Sequence, residues 1–397
     1  MNLRRTAWAL TLALTTVAAA PAAAQQDPAT QELITRAQER MAERDYEGAI
    51  ELFGRAINLS PDSALAWYLR GRARHKSEDL AGAEQDYTGA LEREPAYAQA
   101  LHNRGVARAA LGRADEALAD FGALIALRPA RPDGYLLRAN VLLTAGKVAE
   151  AIADCTTAIE KAPGAHQAFY MRGAARLRAG DAAEAQGDLR QAVTLAPRAA
   201  AYQFHLANIS RQADDLAAAR AAFDEAIRLS TPAADGRAPG APLRPLDLAR
   251  AYSSRGQVRW LQGEKAAALA DLQQAVAREP TFPYFALWLA ALGGDERPLA
   301  QVPDGDEFAH AVVRHYRGEL DETLLLAHAR QADDDPQRAG QVCQAHCYLG
   351  LRAERAGRAA DARRHYEAAA ATDAALFVEH HWARTRLAAL GAARGGR

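Results

Sequence analysis

Residues Trp67–Pro95 read WYLRGRARHKSEDLAGAEQDYTGALEREP. Gly71 stands before Ala83 in this stretch, Tyr87 and Ala90 follow that alanine, and Pro95 closes it. The same spacing recurs on both sides. Prolines fall at Pro61, Pro95, Pro129, Pro163 and Pro197, each 34 residues after the last. Alanines keep the beat at Ala49, Ala83, Ala117, Ala151, Ala185 and Ala219, with Phe53, Tyr87, Phe121, Cys155, Leu189 and Phe223 four positions on. Small residues precede them at Ala37, Gly71, Gly105, Ala139, Gly173 and Ala207. A strict period of this length marks a stack of short supersecondary units. Each unit reads as two helices. The small residue of the first is expected to face the alanine of the second, so that the backbones approach closely. The residue four positions on extends the apolar stripe, and the proline stops the second helix. Between the helices, stretches such as LGRADEAL put Gly112 at a helix end and Asp115 and Glu116 at the next start.

This pattern resembles the tetratricopeptide repeat, with its W-x2-L-G-x2-Y, A-x3-F and P signature. Trp67–Pro95 is the clearest copy and departs at the tyrosine position, which is Arg74. The resemblance implies an all-α fold: a right-handed superhelical solenoid of antiparallel helix pairs with a C-terminal capping helix. Residues 25–232 are expected to hold six repeats, and 233–248 to form a Gly/Pro-rich loop. A seventh repeat is expected at 249–282, then degenerate helical repeats and a cap over 283–397, irregular from 283 to 304. FVEHHWARTRLAAL reads as the closing amphipathic helix. Residues 306–391, with AHCYLG and GRAADARRHYEAAA, resemble the end of NlpI-type envelope proteins. That likeness implies an adaptor, often dimeric, that docks cell-wall hydrolases and a protease. Such proteins are usually lipid-anchored, but no cysteine near the N-terminus suits a lipid anchor here.

The chain opens MNLRRTAWALTLALTTVAAAPAAAQQ, with two arginines, an apolar run and a small-residue stretch ending at Ala24. This is the layout of a cleavable export signal over 1–24. A periplasmic or secreted protein is therefore expected, with the mature chain starting at Gln25 and no stable membrane anchor. The three cysteines, Cys155, Cys343 and Cys347, are too few for a disulfide framework. With 48 Lys+Arg against 49 Asp+Glu the net charge is -1, which gives no bulk attraction to nucleic acid.

Five units pair an arginine with an aspartate at fixed places: Arg70 with Asp86, Arg104 with Asp120, Arg138 with Asp154, Arg172 with Asp188 and Arg255 with Asp271. Buried charges need partners, so these groups are expected to pair across helices. An arginine ladder for an anionic ligand is the functional alternative. The first unit has Arg36 with Leu52, and the sixth has Leu206 and Ala222.

No G-x-S-x-G, H-E-x-x-H or phosphate-loop motif is present. QVCQAHC, Gln341–Cys347, gathers Cys343, His346 and Cys347. Its order is not that of haem attachment, and it lacks the second ligand pair of a structural zinc. In register, His346 takes the packing place of Trp67, Leu101, Tyr135 and Phe169, in the first turn of a worn repeat that begins at residue 343. Packing thiols are the expected reading, and no cofactor or metal is expected. The resemblance places ligands on the concave face, lined by the first helix of each pair. There the groove residues are Tyr68, Arg72, His102, Leu136, Asn140, Tyr170, Phe204 and Asn208, with His75, Lys76, Arg178 and Arg211 further along. An apolar-aromatic track edged by basic and amide groups suits a peptide. The expected function is a non-enzymatic scaffold for protein or peptide partners in the cell envelope, with a homodimer compatible. The alternative is a hydrolase or a redox or metal protein using the C-terminal His and Cys residues.

Overall fold

A computed structural model describes residues 27–232, 236–293, 295–332, 335–374 and 378–392. The expected export signal lies outside the described residues. Among the described residues the chain is helical throughout, with no strand and one isolated backbone bridge between Ala199 and Ala241. None of the described helices is long and apolar enough to cross a membrane. The chain divides into two compact units between Val141 and Leu142.

The N-terminal unit holds α1 (Pro28–Ala42), α2 (Tyr46–Leu59), α3 (Ala64–Lys76), α4 (Leu80–Arg93), α5 (Ala98–Ala110), α6 (Ala114–Leu127) and the start of α7 (Pro132–Thr144). Helices α1/α2, α3/α4 and α5/α6 pack as pairs, and α2 and α4 each pack on the first helix of the next pair. The C-terminal unit continues with α8 (Val148–Lys161), α9 (His166–Ala179), α10 (Ala182–Leu195), α11 (Ala200–Gln212), α12 (Leu216–Ser230), α13 (Pro245–Leu261) and α14 (Lys265–Arg278). Then come α15 (Pro283–Ala291), a short 3-10 turn (Arg297–Gln301), α16 (Phe308–Tyr316), α17 (Glu322–Ala329), α18 (Asp335–Arg355), α19 (Ala359–Ala370) and α20 (Val378–Ala392). Pairing of neighbours persists in α9/α10, α11/α12, α13/α14 and α18/α19.

The periodic residues act locally. Helix α4 ends at Arg93 and α6 at Leu127, two residues before Pro95 and Pro129. The turn inside each unit needs one residue with positive φ, because the chain must reverse in a few residues. Glycine supplies it at Gly112, while Arg44, Glu78 and Asp214 adopt it at the same register position with φ of 64°, 68° and 61°. Gly256 faces its alanine as expected, a Cβ there meeting the Ala268 carbonyl at 2.9 Å, whereas Gly71 and Gly105 face the ring four positions further on. A Cβ on Gly105 would meet Phe121 at 2.6 Å, and one on Gly71 would meet Tyr87 at 2.8 Å. At those two places glycine is the seat of the neighbouring ring.

Four of the five expected arginine–aspartate pairs are seen within their repeats, as the charges of buried groups require. Arg70, Arg104, Arg172 and Arg255 bind Asp86, Asp120, Asp188 and Asp271 with N–O distances of 2.6 to 2.8 Å. A second arginine, one turn on, reaches the same carboxylate: Arg74, Arg108, Arg176 and Arg259, at 3.1, 2.9, 2.7 and 2.9 Å. This accounts for the arginine at the tyrosine place of the repeat signature. Three of these first arginines also extend to the preceding pair. Arg104 donates to Thr88 Oγ1, Arg172 to Thr156 Oγ1 and Arg255 to Asp224 Oδ1. The arginines are thus engaged as internal ties rather than offered to an anionic ligand. Burial of Arg255 works against its charge, but Asp271 and Asp224 outweigh that and raise its pKa. Arg36, facing no aspartate, stays exposed beside Glu32.

Three stretches differ from the sequence reading. Helix α13 starts at Pro245, inside the Gly/Pro-rich stretch, because a proline at the first helical turn needs no amide partner. Residues 283–291, expected to be irregular, form α15, again opened by a proline. Helix α18 begins at Asp335, eight residues before the expected repeat start at Cys343, with Pro336 in its first turn, where no amide partner is needed.

Candidate functional site

The first helices of the pairs carry the predicted groove residues, and each unit holds its own group. In the N-terminal unit, Tyr68 of α3 is half-buried beside two other tyrosines. Its ring centroid lies 4.9 Å from that of Tyr97, which precedes α5, and 5.9 Å from that of Tyr87 on α4. Asn103 on α5 donates from Nδ2 to the Tyr68 hydroxyl at 3.2 Å. Arg72 is exposed, with its guanidinium 5.8 Å from the Tyr68 ring centre. Burial pushes the Tyr97 hydroxyl up to about 12, with Tyr68 adding to it, so the phenol is neutral. His102 is half-buried. Burial lowers its pKa against the pull of Asp133, which keeps the ring uncharged at neutral pH. Leu136 is half-buried and Asn140 exposed on α7.

The C-terminal unit repeats the device. Tyr170 of α9 stacks on Tyr202 of α11, with centroids 4.8 Å apart. The Tyr170 hydroxyl shares a hydrogen bond of 2.9 Å with His205 Nε2, and Tyr202 shares one of 2.8 Å with His166 Nδ1. Phe204 is half-buried against His205 and Phe223, at 5.5 and 6.1 Å between centroids. Asn208 donates from Nδ2 to the Phe204 carbonyl at 2.9 Å, so part of its amide is held by its own helix. Burial lowers the pKa of His205, with Asp247 opposing.

Asn103 and His205 escaped the sequence reading. Each lies 35 residues after the tyrosine it binds. They occupy the same place in their units, and the spacing of Tyr68 to Asn103 and Tyr170 to His205 is the signal that finds them. Locking the hydroxyl leaves the ring as a fixed apolar surface, which lowers the entropy lost when a ligand lands on it.

Arg211 behaves otherwise. It continues the expected groove register but is only 4 % exposed. Glu379 of α20 supplies its counter-charge, while burial lowers the arginine's pKa to about 10. His381 of α20 lies 3.6 Å from Asp214, just past the end of α11. The end of the first-helix face is therefore filled from within.

The C-terminal cysteines are buried on α18, and the histidines are spread over α16, α17, α18, α19 and α20. Cys343 and Cys347 are fully buried free thiols, and burial pushes the Cys343 thiol up to about 12. A nucleophilic or redox thiol needs the opposite shift. His346 and His365 approach Nδ1 to Nδ1 at 3.0 Å, and His365 Nε2 lies 3.5 Å from Glu322. His310 and His315 lie on α16, and His380 is hydrogen-bonded to the Ala370 carbonyl. Among the described residues no group of three or more His, Cys, Asp or Glu side chains is placed to hold a metal ion.

Comparison with known proteins agrees with this architecture. The family model described as tetratricopeptide repeat matches residues 34–100, 76–123, 102–166 and 170–238. No curated protein matches the chain significantly. Among solved structures, the C-terminal part of a TPR repeat-containing protein from Cytophaga hutchinsonii aligns with a TM-score of 0.51 at 17% identity, covering 64% of this chain and 99% of that one. A tetratricopeptide repeat protein from Parabacteroides merdae aligns at 0.49 and 19% identity, over 66% of this chain and 98% of that one. YrrB, described as a TPR protein with an unusual peptide-binding site, aligns at 0.38 and 21% identity, over 42% and 85%.

Proposed function

The chain belongs to the tetratricopeptide repeat family, and on that premise we propose that it is a non-enzymatic scaffold whose first-helix faces hold segments of partner proteins. The observation that carries the reading is the locked tyrosine device, Tyr68 with Asn103 and Tyr170 with His205. A rigid, half-buried aromatic ring is a common anchor at interfaces, because it gives large contact area for few frozen torsions. Neighbouring side chains such as Arg72 and Asn208 supply polar contacts at the edge of such anchors. The buried, protonated thiols of α18 leave the redox reading without a nucleophile.

We further propose that the protein acts after export, on the strength of the signal-like residues 1–24. The likeness of residues 306–391 to NlpI-type proteins supports envelope hydrolases and proteases as partners. Amino-terminal sequencing of the protein recovered from the periplasm should begin at Gln25. The face itself is tested by cross-linking and recovery from periplasmic extract. A Tyr68→Ala/Tyr170→Ala/Phe204→Ala variant with an unchanged helical spectrum should recover roughly tenfold less partner. Equal recovery would refute the groove.

A further inference from the structure

A cavity of about 360 Å³ opens between α13, α15, α18 and α20, all in the C-terminal unit. Its α13 wall carries Arg250, Ser253 and Gln257, which hold the second, fifth and ninth places of the seventh unit. It therefore lies on the first-helix face that carries Tyr170 and Phe204 in the same unit. What distinguishes it is a polar floor. Gln257 is 5 % exposed and Glu379 4 %, yet both line the cavity.

The floor is short of donors. Gln257 Oε1 is buried and has no hydrogen-bond partner among the described residues. Its amide nitrogen makes only a long contact of 3.4 Å to Ser253 Oγ. A buried carbonyl oxygen left unmatched costs about 1–3 kcal/mol. Tyr284 donates to Gln344 Oε1 at 3.3 Å, which turns the Gln344 amide nitrogen toward Glu379. Burial raises the Glu379 pKa and Arg211 opposes that; beside this counter-charge the carboxylate gains one donor from Gln344 and keeps acceptor capacity for more.

The walls are aromatic. Phe282 and Phe285 stand 4.6 Å apart between centroids, and Trp288 joins them. At the mouth, the Arg250 guanidinium sits 5.9 Å from the Phe282 ring centre, tied at 3.2 Å to Asp247. Its charge is thus partly answered at the rim, and it shows that these rings accept a planar cation.

We propose that this cavity receives an arginine side chain of a partner polypeptide, whose guanidinium donates to Gln257 Oε1 and the Glu379 carboxylate between the aromatic walls. The match is one of number and shape. A guanidinium carries five N–H donors in a flat fork, so it serves two separated acceptors while stacking on a ring. An ammonium is more strongly hydrated and has no flat face. A carboxylate ligand would meet Glu379 and leave Gln257 Oε1 unmatched. The scaffold reading supplies only the source of the side chain; the chemistry of the cavity is tested apart from it.

The test is calorimetric titration of the full chain with acetyl-Gly-Arg-Gly-amide, with the same peptide carrying citrulline, and with butylguanidinium. Citrulline keeps the shape and removes the charge. The arginine peptide should bind at least tenfold more tightly than the citrulline peptide. Gln257→Met removes the unmatched oxygen at similar volume; it should lose about tenfold in arginine-peptide affinity without a lower melting temperature. Glu379→Gln should abolish the preference for arginine over citrulline. Equal binding of the two peptides would overturn the proposal, as would undiminished binding by a folded Gln257→Met protein. Binding of butylguanidinium without binding of the capped peptide would overturn the polypeptide source. A Tyr68→Ala variant should bind the arginine peptide like the parent, which separates failure of this cavity from failure of the aromatic face.

Discussion

Asp120 is 3 % exposed and sits between two arginines, accepting from Arg104 at 2.7 Å and from Arg108 at 2.9 Å. Replacing its carboxylate by an amide keeps the shape and removes the charge. Arg104 would then face an uncharged partner, whereas Arg108 keeps Glu84 at 3.0 Å and Glu116 at 3.4 Å; breaking a buried pair from one side costs about 3–5 kcal/mol. Asp120→Asn should therefore lower the unfolding free energy by about 3 kcal/mol in urea titration. Arg36→Ala, at an exposed pair with Glu32, should change it by less than about 0.5 kcal/mol. Similar losses for the two variants would refute the internal-tie reading. Half of this arrangement was legible in the chain. Arg104 and Asp120 recur at fixed register, and burial of the aspartate follows from its place beside Phe121. Arg108 was not legible, because an arginine one turn further along a helix looks like an ordinary solvated charge. Only the approach of α6 to α5 shows that both reach one carboxylate.

At the scale of elements, α17, α18 and α19 meet at two imidazoles. His346 of α18 and His365 of α19 share the 3.0 Å contact, with Glu322 of α17 beyond His365. A contact between two ring nitrogens needs one of them bare, so it fails when both rings are charged. Burial, then the neighbouring His365, lowers the His346 pKa from 6.5 to about 4. The native state thus holds His346 neutral while the unfolded chain takes up a proton below pH 6.5. Stability is fully present above that value and falls as pH drops toward 4. Between pH 7.5 and 5 the unfolding free energy should fall by about 1–2 kcal/mol from this ring, after discounting for the solvent that reaches it. His346→Phe should flatten that part of the profile, since Phe169 holds the same place in α9. An unchanged slope would show that other groups carry it. The sequence placed His346 at a packing position, and the structure agrees that it is partly buried. Its partner was out of reach, because His365 lies on a different helix where no spacing rule links the two. Helix starts were missed where a proline opens the helix: Pro245 and Pro283 begin α13 and α15, and Pro336 stands in the first turn of α18.

For the whole molecule, the distribution of the buried apolar side chains matters more than their number. In the N-terminal unit they fall into separate groups, one around Phe53 from Leu33 to Ala73 and another around Phe121 from Ala90 to Val141. In the C-terminal unit a small separate group holds Ala185, Leu189 and Ile209, and one large group runs from Ala200 to Ala383 and includes Trp288, Tyr348 and Trp382. The 34-residue beat foretold the first kind of core, since each pair there packs chiefly on its neighbours. The second kind depends on α20 reaching back toward α11, a long-range contact that no period encodes. Trp382 lies tilted against Trp288 with centroids 4.9 Å apart, and Glu379 answers Arg211, which knits distant pairs together. A pair held mainly by one neighbour opens at less cost than one embedded in a shared core. Amides of α1 and α2 should accordingly exchange with solvent through local opening. Those of α18 around Tyr348 should exchange only when the C-terminal unit unfolds. Native-state hydrogen exchange over a urea series should show α18 following the global unfolding slope and α1–α2 exchanging well before it, with little dependence on urea. Trp382→Ala should reduce protection in α18 and also in α11, although those helices are far apart in the chain. Loss confined to α18 and α20 would show that the closing helix caps its neighbours without tying α11 into the same core.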